Sequence, residues 1–370
     1  MKTKLLALVC ALALAAGLVG CTLSTPDTVG KIGDYEVSSG TYLLAQYSAY
    51  QQACQLADTD QDTSDVKAFL KATITTDADT GETAVVRDFV ADKTRETLEF
   101  YAAVESRFDA LGGKLTEEQL ASADSYAQQL MDQYGDTYTA NGIGLDTLKS
   151  FQRTQLKHTA LLEMIYGAEG ETPVSDSQLT EHLVNDMYEL AYVSIPLYNT
   201  STYAFADEDQ SAQMLKLAQS AAQSCNAAAK DAQDVSAQVS ALYDAAAASL
   251  PEIYAVLDND YTSDSANVQT ELLTDSTLDS AFTQGDSADT VRSLACGEAA
   301  ATQYNSVSMM LLMRIDPLAV SPLEDLRSQI LSDLKGDELD ESLTQYGSQL
   351  DSSLSDSAMK KLPATKIVNS

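Results

Sequence analysis

Two histidines, His158 and His182, and five cysteines, Cys10, Cys21, Cys54, Cys225 and Cys296, are the side chains best suited to chemistry at neutral pH. Imidazoles titrate near neutrality and thiolates attack carbon or bind metals, so their spacing is the first question. The cysteines show no CxxC or zinc spacing, and two histidines are too few for a His-rich metal site. Asp58-Thr59-Asp60-Gln61-Asp62 starts as a calcium loop does, with carboxylates at alternate positions. Thr63 then stands where the turn needs Gly and Phe69 where a bidentate Glu belongs, so a solvated loop is expected. Asp207-Glu208-Asp209 opens a helix, where negative charge complements the dipole. Met309, Met310 and Met313 suit either a soft peptide-binding surface or the core of a strand. No GxGxxG, P-loop, GxSxG or HExxH pattern is present, which leaves nucleotide binding and the commoner hydrolases without support. Neither a metal nor a cofactor is expected.

The chain that must position these groups has 370 residues, enough for roughly two to three domains. A hydrophobic share of 45% makes it globular rather than disordered. With 22 Lys+Arg against 55 Asp+Glu, the formal net charge is −33. Such a surface repels phosphates and anionic lipid alike, so nucleic acid is not an expected partner. Lys2 and Lys4 precede an apolar stretch over residues 5–18, which reads as a secretory signal too short to span a bilayer. Residues 18–21 (LVGC) resemble the lipobox of bacterial lipoproteins. That resemblance implies cleavage before Cys21 and lipidation of its thiol, and two acyl chains suffice for stable anchoring. An extracytoplasmic protein, lipid-anchored to the bacterial cell membrane, is therefore expected. With Cys10 lost to the signal and Cys21 to lipid, Cys54, Cys225 and Cys296 remain. They are expected as small buried apolar side chains, with at most one pair.

Residues 29–37 (VGKIGDYEV) predict a small hairpin turning at Gly33-Asp34, and Ser38 or Ser39 caps the helix that follows. Residues 57–82 are Asp/Thr-rich and expected as a loop. Apolar spacing by threes and fours predicts helices over 84–111 and 145–166. Capping boxes at Thr116–Gln119 and Ser175–Gln178 open two more, to about Tyr134 and Tyr188. Residues 190–197 (LAYVSIPL) and 307–315 (VSMMLLMRI) read as strands. Between them, 207–250 predict two helices broken near Cys225-Asn226, then a polar loop over 258–267 and short helices around 277–294. Ser321-Pro322-Leu323-Glu324 starts a helix toward Leu350. Residues 364–368 are expected as a closing strand.

Four stretches together resemble PrsA/SurA-type foldase lipoproteins. They are 29–42 (VGKIGDYEVSSGTY), 172–197 (TPVSDSQLTEHLVNDMYELAYVSIPL), 295–317 (ACGEAAATQYNSVSMMLLMRIDP) and 323–367. The resemblance implies an α+β fold: a mainly helical SurA-like chaperone domain made from the N- and C-terminal segments, with a small α+β parvulin-like domain inserted. The implied divisions are a signal at 1–20, a tether at 21–28, a helical segment at 29–189, the parvulin-like domain at 190–317 and a closing segment at 318–370. Active parvulins carry a histidine in the first strand of this domain and another in the last. Here the first position falls on Tyr192, or on Ser194 if the register slips by two, and the last on Met310; His158 and His182 match neither. The family's Asp/Cys partner has no counterpart, and 267–273 (NVQTELL) stands near the place of its Gly-rich stretch.

Isomerising a prolyl bond needs an apolar pocket and polar groups around the twisted amide. Losing both imidazoles removes the polar network but leaves the pocket. Tyr192, Ser194, Met309 and Met310 are the candidate peptide-binding residues, with no residue assigned a catalytic role. The expected function is a membrane-anchored chaperone that binds unfolded secreted polypeptides without efficient isomerisation. The alternative is an active peptidyl-prolyl isomerase rebuilt around Tyr192 and Met310. A solute-capturing lipoprotein is weaker, because the long strand–helix alternation of a two-lobed α/β receptor is missing.

Overall fold

The computed structural model describes residues 26–369, so the signal, the lipobox and Cys21 lie outside the described residues. The fold is α+β. The chain divides into two compact units, one formed by residues up to Ile165 together with those from Asp337 onward, the other by Tyr166–Gly336.

The first unit opens on β1 (Thr28–Ile32) and β2 (Tyr35–Ser38), antiparallel with Ile32 opposite Tyr35. Gly33 makes the turn at φ +55°, which an L side chain resists. The Ser38 hydroxyl accepts the Thr41 N–H at 3.0 Å and starts α1 (Ser39–Gln55). The Asp/Thr-rich segment is not a plain loop. It holds α2 (Val66–Phe69) and a hairpin of β3 (Thr73–Asp77) and β4 (Glu82–Val85). Asp77 Oδ1 accepts the Asp79 and Thr80 N–H groups, so the polar residues build its turn while Ile74 is buried against Tyr50 and Phe69. Three helices follow: α3 (Val86–Ala110), α4 (Glu117–Ala140) and α5 (Leu145–Tyr166). The Thr116–Gln119 capping box is formed, and α4 continues past Tyr134 through a kink there.

In the second unit the Ser175–Gln178 capping box opens α6 (Asp176–Asp186), which ends before Tyr188 because β5 (Met187–Pro196) begins. Next come α7 (Glu208–Ala229) and α8 (Val235–Ala255), broken after Ala229 rather than at Cys225, which is buried under the sheet. β6 (Gln269–Thr274), α9 (Asp275–Ala281), α10 (Ser287–Arg292), β7 (Ala299–Asn305) and β8 (Ser308–Ile315) complete the unit's sheet and its second cover. The four strands run in the order β6-β5-β8-β7, all antiparallel.

After α11 (Pro317–Val320), α12 (Leu323–Ser348) carries the chain back to the first unit, which α13 (Asp356–Met359) completes. The closing pairing occurs earlier than expected. Gly33 N–H donates to Asp351 O at 2.8 Å, Ser353 N–H to Lys31 O at 2.8 Å and Ser355 N–H to Val29 O at 2.7 Å. A Cβ at Gly30 would lie 2.4 Å from Ser353 O, so only glycine admits this neighbour. Residues 364–368 form a 3₁₀ turn at Ala364–Lys366 and a tail whose Val368 is held by Asn141: N–H to Oδ1 at 2.9 Å, Nδ2 to O at 3.0 Å. A side-chain amide stands where a neighbouring strand was expected. Val29, Ile32, Leu98 and Leu362 share one apolar cluster, so both ends of the chain build this unit's core.

Candidate functional site

The sheet of the second unit separates the candidate residues by pleat. Odd-numbered residues of β5 (Ala191, Val193, Ile195) and β8 (Met309, Leu311, Met313) face α7 and α8 in one buried cluster. Even-numbered ones (Tyr188, Leu190, Met310, Leu312) face the cluster that includes Leu278 and Phe282 beneath the short α9 and α10.

On that second face the register sets Ser194 opposite Met310, Tyr192 opposite Leu312, and Met310 opposite Thr302 of β7. Ser194 is exposed, Tyr192 half-buried and Met310 at 7% exposure. Tyr304 stacks edge-on against Phe282 at 5.0 Å nearby. The Tyr192 hydroxyl reaches Glu271 Oε2 at 3.4 Å, and burial, then the Glu271 charge, raises its pKa, so it stays a protonated donor. Three of the four candidates thus share a face. Met309 does not: it lies at 1% exposure on the opposite side, packed under α7 and α8. A one-residue step along a strand reverses the face, so Met309 is core and no part of a surface with Met310.

Neither imidazole is on the sheet. His182 of α6 is held by Asp186 at 3.0 Å and Asp333 at 2.7 Å. His158 of α5 bonds Asp340 at 2.7 Å against the Phe100 ring. What the Tyr192–Ser194–Met310–Thr302 face presents is hydroxyls, a thioether and aromatic rings. These can pack an apolar segment and donate hydrogen bonds to its carbonyls, but they offer no group that shuttles a proton near neutral pH.

Glu189 is the residue that sequence reasoning missed. It pairs across the sheet with Leu272 and Ile315 on the closed face and is only 5% exposed. Burial first, and the Glu271 charge second, push its carboxyl up to about 7. The only sequence signal is one acid inside an apolar strand. Cys54, Cys225 and Cys296 are free thiols, but only Cys225 is buried as expected, which pushes it up to about 11; Cys54 is half-buried and Cys296 exposed. The calcium-like stretch is local structure: Asp62 Oδ1 accepts from the Ser64 N–H and hydroxyl.

The first unit has three adjoining cavities of about 270, 460 and 300 Å³. Gln46, Leu362 and Pro363 are shared by the first two, and Tyr42, Ala91 and Met359 by the second and third. Together they make a run between α1, α3 and the C-terminal tail, with an apolar floor and with Arg87, Arg95 and Lys361 among its lining residues. Among the described residues no helix is long and apolar enough to cross a membrane.

No protein-family model matches the chain, and no curated protein matches it. Among solved structures it is similar to the foldase protein PrsA of Streptococcus pneumoniae, with 13% identity over 78% of this chain and 92% of that one, at a TM-score of 0.37. Similarity to the foldase protein PrsA of Lactococcus lactis is 11% over 92% and 99%, at a TM-score of 0.33. For PrsA of Bacillus subtilis it is 14% over 79% and 93%, at 0.28.

Proposed function

We propose that this chain is an extracytoplasmic chaperone of the foldase type, lipid-anchored through Cys21, that holds unfolded secreted polypeptides without catalysing prolyl isomerisation. The observation that carries the reading is the end of the sheet face that α9 and α10 leave partly uncovered. Ser194 opposite Met310, with Tyr192 and Thr302 beside them, keeps an apolar and hydroxyl-bearing cradle, while both histidines are hydrogen-bonded to aspartates elsewhere. The inserted unit and the apolar run between α1, α3 and the tail support the same reading, since a holder needs apolar surface within reach of an extended chain. A formal charge of −33 keeps such a surface soluble and favours basic clients at modest salt. Membrane attachment rests on residues 18–21 alone, and acyl labelling that Cys21→Ser abolishes is its check.

The deciding experiment refolds a client limited by a native cis-proline in the presence of residues 22–370. The slow phase of such a client lasts about tens to hundreds of seconds. An unchanged slow phase, with light scattering suppressed at stoichiometric protein, is the expected outcome. Acceleration at catalytic amounts overturns it in favour of an isomerase using the Tyr192 hydroxyl, which a Tyr192→Phe variant would then slow.

A further inference from the structure

β7 is an edge strand answered at both ends of its outer side, with the Tyr304 carbonyl taking the Thr283 N–H at 3.0 Å, and bare only between them. At its start, Asn226 of α7 acts as a one-residue strand: Nδ2 donates to the Ala299 carbonyl at 2.9 Å, and the Ala299 N–H donates to Oδ1 at 2.6 Å. Ala299 therefore turns both backbone groups away from β8. Outward-facing residues recur at every second position of an antiparallel ladder, so Ala301 and Gln303 follow, up to the irregularity before Asn305. No backbone or side chain among the described residues answers their outward N–H and C=O groups. Ala301 is only 7% exposed, and an unanswered amide in such a place costs free energy that a ligand's backbone would recover.

The space beside it fits. A cavity of about 350 Å³ runs between Leu215, Gln219 and Gln223 of α7, Thr290 of α10 and the alanines of β7. None of its lining residues is charged, in a chain of net charge −33. Edge strands are ordinarily protected by charge, proline or a covering side chain. The opposite edge is: Glu271 sits on β6, and Gln329 Nε2 takes the Leu272 carbonyl at 3.1 Å. β7, reading AAATQYN, has neither a charge nor a proline, and its small side chains let a neighbour approach closely.

We propose that the β7 edge is a docking site for an extended, uncharged polypeptide segment, which adds to the sheet as a fifth strand. Its backbone pairs with Ala301 and Gln303, and its alternate side chains enter the notch under α7. Main-chain pairing gives affinity without demanding a sequence, as a holder of varied chains requires. The ligand class rests on the client-binding reading above; the place and mode of binding are new to this proposal.

The test is fluorescence anisotropy of the mature chain with a labelled neutral decapeptide, beside the same peptide N-methylated at alternate amides. Loss of two or more backbone bonds is expected to weaken the methylated peptide at least about tenfold. Ala301→Pro removes an outward N–H while leaving the β8 ladder intact and is expected to do the same. Gln303→Pro repeats the test one pair along, and the methylated peptide reads out on the unaltered protein whatever those variants do to folding. Equal affinity for both peptides overturns the proposal. So does unweakened binding to a folded Ala301→Pro, in which case clients are held elsewhere and the chaperone reading survives. A parent dimer that Ala301→Pro dissociates in sedimentation makes the occupant a second copy and also overturns it. If no peptide binds and scattering of an aggregating client is not suppressed, both readings fall together.

Discussion

The two faces of the four-stranded sheet share the same strands and differ in what covers them. Under α7 and α8, Ala191, Val193, Ile195 and Leu311 meet alanine-rich helices whose small side chains allow close packing, and the face is sealed. On the other face, the short α9 and α10 cover Tyr188, Leu190 and Leu312 and leave Tyr192 half-buried and Ser194 exposed beyond them. Burial is thus set by helix length on each side rather than by strand composition. The largest test of this difference is truncation. Leu311→Ala, at a fully buried site, is expected to cost about 2–5 kcal/mol in urea unfolding. Ser194→Ala is expected to stay within about 0.5 kcal/mol. Equal losses would mean the second face is closed in solution and would remove the cradle.

The sealed face carries an acid, which gives the second test. Glu189 has its folded-state pKa raised to about 7 from an ordinary 4.5. The folded protein therefore holds this proton at pH values where the unfolded chain has released it. Stability from this group is fully present below pH 4.5 and is lost as pH rises through about 7. Glu189→Gln is expected to flatten that decline and to stabilise the protein by about 2 kcal/mol at pH 8 relative to the parent. If the parent and Glu189→Gln show the same pH dependence between pH 4 and 8, the carboxyl is solvated and the face is less sealed than its packing implies.

Helices were the legible part of this chain, because caps and apolar spacing are local. Residues 145–166 match α5, and the boxes at Thr116 and Ser175 mark true starts. Strands were legible only where β-branched or aromatic residues crowd, as in β5 and β8. β7 begins with three alanines, which favour helix in isolation, and β6 reads QTELLT with its first three residues exposed. Both are strands because β5 and β8 lie beside them, a tertiary cause with no local trace. The candidate site was partly legible for the same reason. Tyr192, Ser194 and Met310 could be named from their strands, but assigning Met309 to the other face requires the register of the whole sheet. Glu189 stood out only as an acid in an apolar strand, and nothing local marks it as only 5% exposed.

The smallest effect probes where the sealed face reaches round to the edge. Asn226 belongs to α7 and spends its amide on Ala299, as Asn141 spends its own on Val368 in the other unit. In each case a side chain replaces the strand that would otherwise pair there. Asn226→Ala leaves the Ala299 N–H and C=O without protein partners. The expected cost is about 1–2 kcal/mol, with faster hydrogen exchange at the Ala299 amide. The inward amides of β7 that pair with β8 should keep their protection, because the ladder does not use Asn226. Extending the bare edge by one residue pair is also expected to strengthen, not weaken, binding of an added strand. Tighter peptide binding by a less stable variant is a combination that general loosening of the sheet would not produce.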